Sequence, residues 1–194
     1  MSDASLPAAY FEALYAGDPD PWRFRSSDYE REKYGETVAA LEGRRFDRAV
    51  EVGCSIGELT ARLAPQCDDL LGVDIAQSAL DAAAARNRET PQVHFQRLTL
   101  PDERPDGVFD LIVLSEVLYY FGAQDLRRMA NWVESVLAPT GVVLMVHWLG
   151  ETPDYPHTGD EAAEAFIQAL QPTLTIDRQS RQARYRLDRL SRRV

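Results

Sequence analysis

Two carboxylates in this chain each close a short apolar run, and the first of them leads into a pair of glycines. The run from Arg48 to Val52 carries Glu51 and passes through Gly53, Cys54, Ser55 and Gly57 before a helical pattern opens at Glu58, while the run from Leu70 to Val73 ends in Asp74. Strand, tight loop and helix bring main chain close to a nucleotide-type ligand, because glycine accepts the turn and leaves no side chain in the way. Charge then narrows the kind of nucleotide. A dinucleotide fingerprint needs Gly-x-Gly-x-x-Gly, but Ser55 and Glu58 stand at its second and third glycines, and no Gly-Lys-Ser/Thr follows for a phosphate loop. Glu51 would also repel a pyrophosphate resting on the helix start. A cationic ligand without phosphate suits these residues, and S-adenosyl-L-methionine, with its sulfonium and ammonium groups, is such a ligand. Asp74, with Ile75 beside it, lies at the usual distance for gripping a ribose diol.

A second set of chemical residues follows. Ser115 and Glu116 come directly after the apolar run Phe109 to Leu114, with Tyr119 and Tyr120 close behind, and His147 and Trp148 end another apolar run that starts at Gly141. Open α/β sheets bind ligands at the carboxyl ends of their strands, so these residues are expected near the reactive end of the cofactor. Glu116 is expected to accept a hydrogen bond from an acceptor ammonium or hydroxyl, or to favour a sulfonium by charge. His147, an imidazole neutral near pH 7, is the candidate general base, and Tyr119 joins them as a candidate catalytic residue. His147, Asp154, His157 and Asp160 match no strong ligand spacing, so no metal is expected.

The elements that must position these residues read as an alternation of strands and helices. Leu6 to Ala16 and a second helix capped by Ser27 or Asp28 flank a proline-broken loop ending in Trp22, and together form a lid over residues 1–43. Residues 44–194 form the core. Crossover helices are expected over Glu58 to Ala64 and Ala76 to Arg88, a third strand over Val93 to Arg97, and a helix with Leu126, Met129, Ala130, Val133 and Leu137 on one face, ended by Pro139 and Gly141. A strand over Gly141 to Val146, a polar aromatic loop over residues 152–160, a helix over Ala162 to Leu170 and an antiparallel pair (Thr173 to Asp177, Ala183 to Leu190) complete it. The class is α/β, a Rossmann-like seven-stranded, mostly parallel sheet with helices on both faces, in one domain spanning 1–194.

With 194 residues and a net charge of −10, the chain is long enough for a sizeable core and carries a field that disfavours nucleic acid and anionic membrane surfaces as partners. No apolar run approaches a membrane span, and the first residues lack the basic start of a targeting peptide, so a cytoplasmic protein is expected. Cys54 and Cys67 read as small buried thiols rather than a disulfide framework.

The Glu51-x-Gly53 loop resembles the first motif of class I S-adenosylmethionine-dependent methyltransferases, with Ser55 in place of the middle glycine. Asp18-Pro-Asp-Pro-Trp22, Tyr29 to Tyr34, Glu51 to Cys54, Asp110 to Tyr120 and Gly159-Asp160 narrow the resemblance to the nodulation protein S type, which includes N-methyltransferases acting on the free amine of a chitooligosaccharide glucosamine. The resemblance implies a lid in which Trp22 meets the methionine end of the cofactor and Lys33 pairs with its carboxylate. It also puts Thr99, with Leu100 next to it, where relatives often carry an acidic residue for the adenine amino group. The implied partner is a small-molecule acceptor, an amino sugar or nucleotide sugar among the options. The arginines from Arg178 onward read first as charges that protect edge strands, and as a second option some of them bind an anionic acceptor such as a nucleotide sugar. O-methylation of a hydroxylated compound is the alternative within this chemistry. A nicotinamide-dependent oxidoreductase and a non-catalytic cofactor-binding protein are the rivals outside it.

Overall fold

The computed structural model describes residues 4–193. Seven strands form one sheet in the order β3-β2-β1-β4-β5-β7-β6. They are β1 (Ala49–Val52), β2 (Leu70–Asp74), β3 (Val93–Arg97), β4 (Phe109–Ser115), β5 (Leu137–Trp148), β6 (Leu174–Arg181) and β7 (Tyr185–Arg192). Six α-helices accompany them among the described residues: α1 (Ala8–Gly17), α2 (Asp28–Ala39), α3 (Glu58–Leu63), α4 (Gln77–Arg86), α5 (Ala123–Val136) and α6 (Gly159–Leu170). The pairs β1–β2, β2–β3 and β4–β5 are parallel, whereas β5–β7 and β6–β7 are antiparallel. This is the mostly parallel Rossmann-like sheet expected. Among the described residues no helix is long and apolar enough to cross a membrane.

The chain divides into two compact units, residues 7–99 and residues 100–193 with the short segment ahead of Pro7. In the first, every residue of β1 is buried and β2 is nearly so, as parallel strands covered on both faces must be. Ser27 caps α2 by accepting the Glu30 amide, one of the two caps expected. Tyr15 of α1 joins Ile56 of the glycine loop and Ala76 and Ala79 of the α4 region in one apolar cluster, with Phe11, Trp22 and Phe24 packed against it. The N-terminal helices are thereby bound to the loop that follows β1.

In the second unit, Leu111 to Leu114 of β4 and Val142 to His147 of β5 are buried. Leu126, Met129, Ala130, Trp132 and Val133 form the buried face of α5. Strand β5 begins at Leu137, four residues before the expected Gly141. Leu137 pairs with Phe109, and the next pair is Leu111 with Val142, so a bulge absorbs Pro139 and Gly141. A capping box between Thr158 and Glu161 starts α6. Its first residue must be glycine: a Cβ on Gly159 would lie 1.9 Å from the carbonyl oxygen of Trp148.

Candidate functional site

In the unit of residues 7–99, the loop after β1 is built by internal hydrogen bonds. The Gly53 and Cys54 amides donate to the Val73 carbonyl at 2.8 and 3.0 Å, and the Gly57 amide donates to the Cys54 carbonyl at 3.0 Å. Gly57 has a φ of 75°, and a Cβ there would stand 2.7 Å from Asn87 Nδ2. Ser55 also adopts a positive φ, 50°, a conformation that costs an L-residue energy and explains why glycine is usual at this place. Two contacts offset that cost. The Ser55 amide donates to Asp74 Oδ2 at 2.8 Å, and Ser55 Oγ shares a hydrogen bond of 2.5 Å with the Tyr15 hydroxyl. Tyr15 has no counterpart among the sequence-derived candidates. Its spacing of four from Phe11 on one helix face, beside Trp22, is the signal that could have drawn attention to it.

Both acids of this unit are buried. Glu51 accepts from Thr60 Oγ1 at 2.5 Å, and burial, reinforced by the nearby Asp74, pushes its carboxyl up to about 8 despite that bond. Asp74 accepts the Ser55 amide on one oxygen and the Ala76 amide on the other at 3.0 Å, and burial again raises its pKa. The carboxylate expected to grip a ribose diol therefore also holds the loop in shape. Ile75 is half-buried, and its carbonyl accepts from Arg97 Nε at 3.0 Å. Thr99 is half-buried as well, and the thiol of Cys54 is buried.

One expectation on the N-terminal helices needs correction. Lys33, expected to pair with a cofactor carboxylate, is 1 % exposed and pairs with Glu30 Oε2 at 2.9 Å, between the rings of Tyr29 and Tyr34. A cation so deeply buried requires a partner, and the glutamate three residues earlier on the same helix provides it. Trp22 stacks on Phe24 (centroids 5.6 Å apart) and meets Tyr15 edge-on at 5.7 Å, so it anchors the aromatic cluster beside the loop.

The unit of residues 100–193 brings Leu100, Ser115, Glu116, Tyr119 and His147 into one half of the chain. Leu100 and Ser115 are half-buried. Glu116, immediately after β4, has a φ of 56°. Its amide donates to the Val146 carbonyl at 2.8 Å, and its Oε2 accepts both the Trp148 amide and the Tyr119 hydroxyl at 2.8 Å. The backbone amide of Trp148 is a partner that no side-chain pattern announces. Tyr119 is buried, stacks on Tyr155 at 5.5 Å and meets Tyr120 edge-on at 4.6 Å. Burial and the Glu116 carboxylate raise its phenol pKa well above the ordinary value, so it remains a hydrogen-bond donor at neutral pH.

His147 does not stand as the expected general base. It is fully buried, and its Nε2 accepts the Leu118 amide at 3.3 Å, so the lone pair needed to take a proton is engaged by backbone. Three of the late arginines, Arg181, Arg186 and Arg189, are engaged by acids, and Arg192 by the carbonyls of Glu134, Leu137 and Ala138. Arg186 binds Asp188, Asp160 and Glu164, Arg181 binds Asp160, and Arg189 binds Asp177. The pair with Arg181, followed by that with Arg186, holds Asp160 down at about 2. Among the described residues no group of three or more His, Cys, Asp or Glu side chains is arranged to hold a metal ion.

The family model for nodulation protein S (NodS) matches residues 13–152. This chain belongs to the NodS family. It is 32 % identical over 124 residues to nodulation protein S of Rhizobium tropici, covering 63 % of this chain and 52 % of that protein. Against nodulation protein S of Sinorhizobium fredii the identity is again 32 % over 124 residues, covering 63 % of this chain and 57 % of the relative. The chain thus spans just over half the length of these curated NodS relatives. In three dimensions it is similar to N-methyltransferase NodS from Bradyrhizobium japonicum WM9, solved in complex with S-adenosyl-L-homocysteine. That likeness has a TM-score of 0.83 at 25 % identity and covers 95 % of this chain and 97 % of the other.

Proposed function

We propose that this NodS-family chain transfers a methyl group from S-adenosylmethionine to a small molecule, and that the nucleophile is the amine of an amino sugar or a related compound. The observation that carries the reading is the loop of residues 53–57 held between two buried carboxylates, Glu51 and Asp74. The donor set fits this cofactor. It offers two buried carboxylates and main chain, which suits a ligand bearing sulfonium and ammonium charge and lacking phosphate. Asp74 would hold the ribose hydroxyls, Glu51 would lend negative charge, and the ring of Trp22 would border the ligand. When bound, the cofactor supplies an activated methyl group to an in-line attack.

The residues of this chain then have the task of holding and orienting the acceptor, since alignment is the main source of rate for a donor already activated. Glu116 is the group suited to receive a hydrogen bond or a proton from the amine, and its carboxylate is fixed in direction by the Trp148 amide and the Tyr119 hydroxyl. Tyr119 keeps its proton and acts as a donor in that arrangement. The amine preference is supported by the N-methyltransferase description of the structurally similar NodS.

Titration calorimetry with S-adenosylmethionine, S-adenosylhomocysteine and NAD tests the cofactor: the first two are expected to bind and the third to give no heat. NAD binding alone would overturn the reading. A mass-shift screen of free amino sugars beside their hydroxylated analogues then tests the acceptor, with a gain of one methyl group on the amine as the expected result. A gain confined to the analogues lacking an amine would refute the amine assignment.

A further inference from the structure

We infer that His147 is a positioning residue that sets the acceptor carboxylate and tyrosine through the backbone of Leu118, and that its acceptor nitrogen is the feature that matters. The inference rests on the methyltransferase reading above. The 3₁₀ turn Leu118–Tyr120 follows Glu116 after a single residue, and its first amide donates to His147 Nε2 at 3.3 Å. That bond requires Nε2 to be unprotonated, which puts the ring proton on Nδ1. The imidazole also meets the Tyr119 ring edge-on at 5.8 Å, so the same side chain holds the turn by its backbone and flanks the tyrosine.

The next residue along β5 completes the grip. The Trp148 amide binds Glu116 Oε2, the oxygen that also takes the Tyr119 hydroxyl. Two successive residues of one strand thus fix the two ends of the segment 116–118, one through the Glu116 carboxylate and the other through the Leu118 amide. Glu116 sits at a positive φ, and an L-residue keeps such a conformation only where its surroundings determine it fully. His147 is fully buried and packed beside the start of α6: its Cβ lies 3.3 Å from the place of a Cβ on Gly159. The ring therefore has a fixed location from which to hold the turn.

Three variants separate this role from simple core filling. In His147→Gln the side-chain amide oxygen reaches about as far as Nε2 and keeps an acceptor for Leu118. In His147→Asn the amide stops near the Nδ1 place, and in His147→Leu no acceptor remains. Hydrogen exchange of the Leu118 amide reads the contact directly. It is expected to stay within threefold of wild type in His147→Gln and to be at least tenfold faster in His147→Asn and His147→Leu. Methyl transfer from S-adenosylmethionine to a chitotetraose bearing one free terminal amine is expected to follow the same order in kcat, with S-adenosylhomocysteine affinity within twofold throughout. Equal Leu118 exchange in all four proteins, or equal loss in the Gln and Asn variants, overturns the inference. If His147→Leu fails to fold, the Gln against Asn comparison decides alone. Absence of S-adenosylhomocysteine binding by the wild type would count against the methyltransferase reading, whereas the exchange data judge His147 independently of any acceptor.

Discussion

Of the non-glycine residues in the left-handed region, which also include Arg23 and Glu42, Ser55 lies in the loop after β1 of the first unit and Glu116 just after β4 of the second. The two are restrained in opposite ways. Ser55 is held by the side chains of others, Asp74 on its amide and Tyr15 on its hydroxyl. Glu116 is held largely by its own carboxylate, which binds the Trp148 amide and the Tyr119 hydroxyl. Strain in the first unit therefore shapes a loop whose binding groups lie elsewhere, on Glu51 and Asp74. In the second unit the strained residue is itself the group proposed to meet the acceptor. The first arrangement separates scaffold from function, and the second merges them.

Substitutions can break this contrast. The largest effect is expected from Glu116→Gln, which keeps an oxygen for both partners but removes the charge. The transfer rate should fall by about 100-fold, in the range of lost acid–base assistance, with S-adenosylhomocysteine affinity unchanged by calorimetry. A comparable loss of cofactor affinity would mean that the two sites are not divided as described. Asp74→Ala should do the reverse, weakening S-adenosylhomocysteine by about 30-fold through loss of hydrogen bonds to a charged acceptor and a loosened loop.

Acidity sharpens the comparison further, because the first unit contains the acid raised to about 8. An unfolded glutamate ionises near 4.5, whereas the folded Glu51 keeps its proton to about 8. The folded state thus binds more protons between those values, and its stability falls as pH rises through that window and levels off above it. A cationic ligand favours the ionised carboxylate, so its binding releases a proton and its affinity should climb with pH up to about 8. Glu51→Gln should flatten both slopes, as read by thermal melting and calorimetry across pH 5 to 9. Persistence of the affinity slope in that variant would assign it to another group.

The smallest effect is expected at the other strained residue. Tyr15→Phe should cost about 1 kcal/mol of stability for the lost hydrogen bond. Ser55→Gly loses the same bond but relieves the positive φ, and should fall within about 0.5 kcal/mol of wild type. In the double variant the cost of Tyr15→Phe should vanish. Additive losses in the melting data would show that the two side chains are not coupled.

The first unit was the more legible from sequence, and the reason is physical. Strands β1 and β2 are short apolar runs that carry an acid at or next to their ends, the loop needs residues that accept a positive φ, and Val93–Arg97 matches the expected third strand residue for residue. Local pattern and long-range structure agree there. Strand β5 shows the opposite case. Pro139 and Gly141 signal an ending, yet Leu137 pairs with Phe109 ahead of them and the ladder resumes at Val142 with Leu111. Residue type identified His147, Lys33 and Glu116 as chemically capable. It did not reveal that Leu118 offers its amide to His147, that Glu30 turns back on Lys33, or that Trp148 binds Glu116 through its main chain. The first and last of those partners are backbone amides that tertiary structure brings into reach, and such groups are the same in every residue type, whereas Glu30 is a side chain one helical turn from Lys33.

The contact between Gly159 and the Trp148 carbonyl has a bearing on redesign. With a Cβ placed only 1.9 Å from that oxygen, the two residues form a seam that accepts no larger side chain on the α6 side. The residues between them, 149–158, therefore run as a loop with fixed end points, tied back to the Glu116 segment by Tyr155 on Tyr119 and Tyr120. Grafting a longer or shorter segment from another NodS-family protein should respect Trp148 and Gly159 as the splice positions and retain the Thr158 and Glu161 cap. A graft that replaces Gly159 with any other residue would put a Cβ into the Trp148 carbonyl.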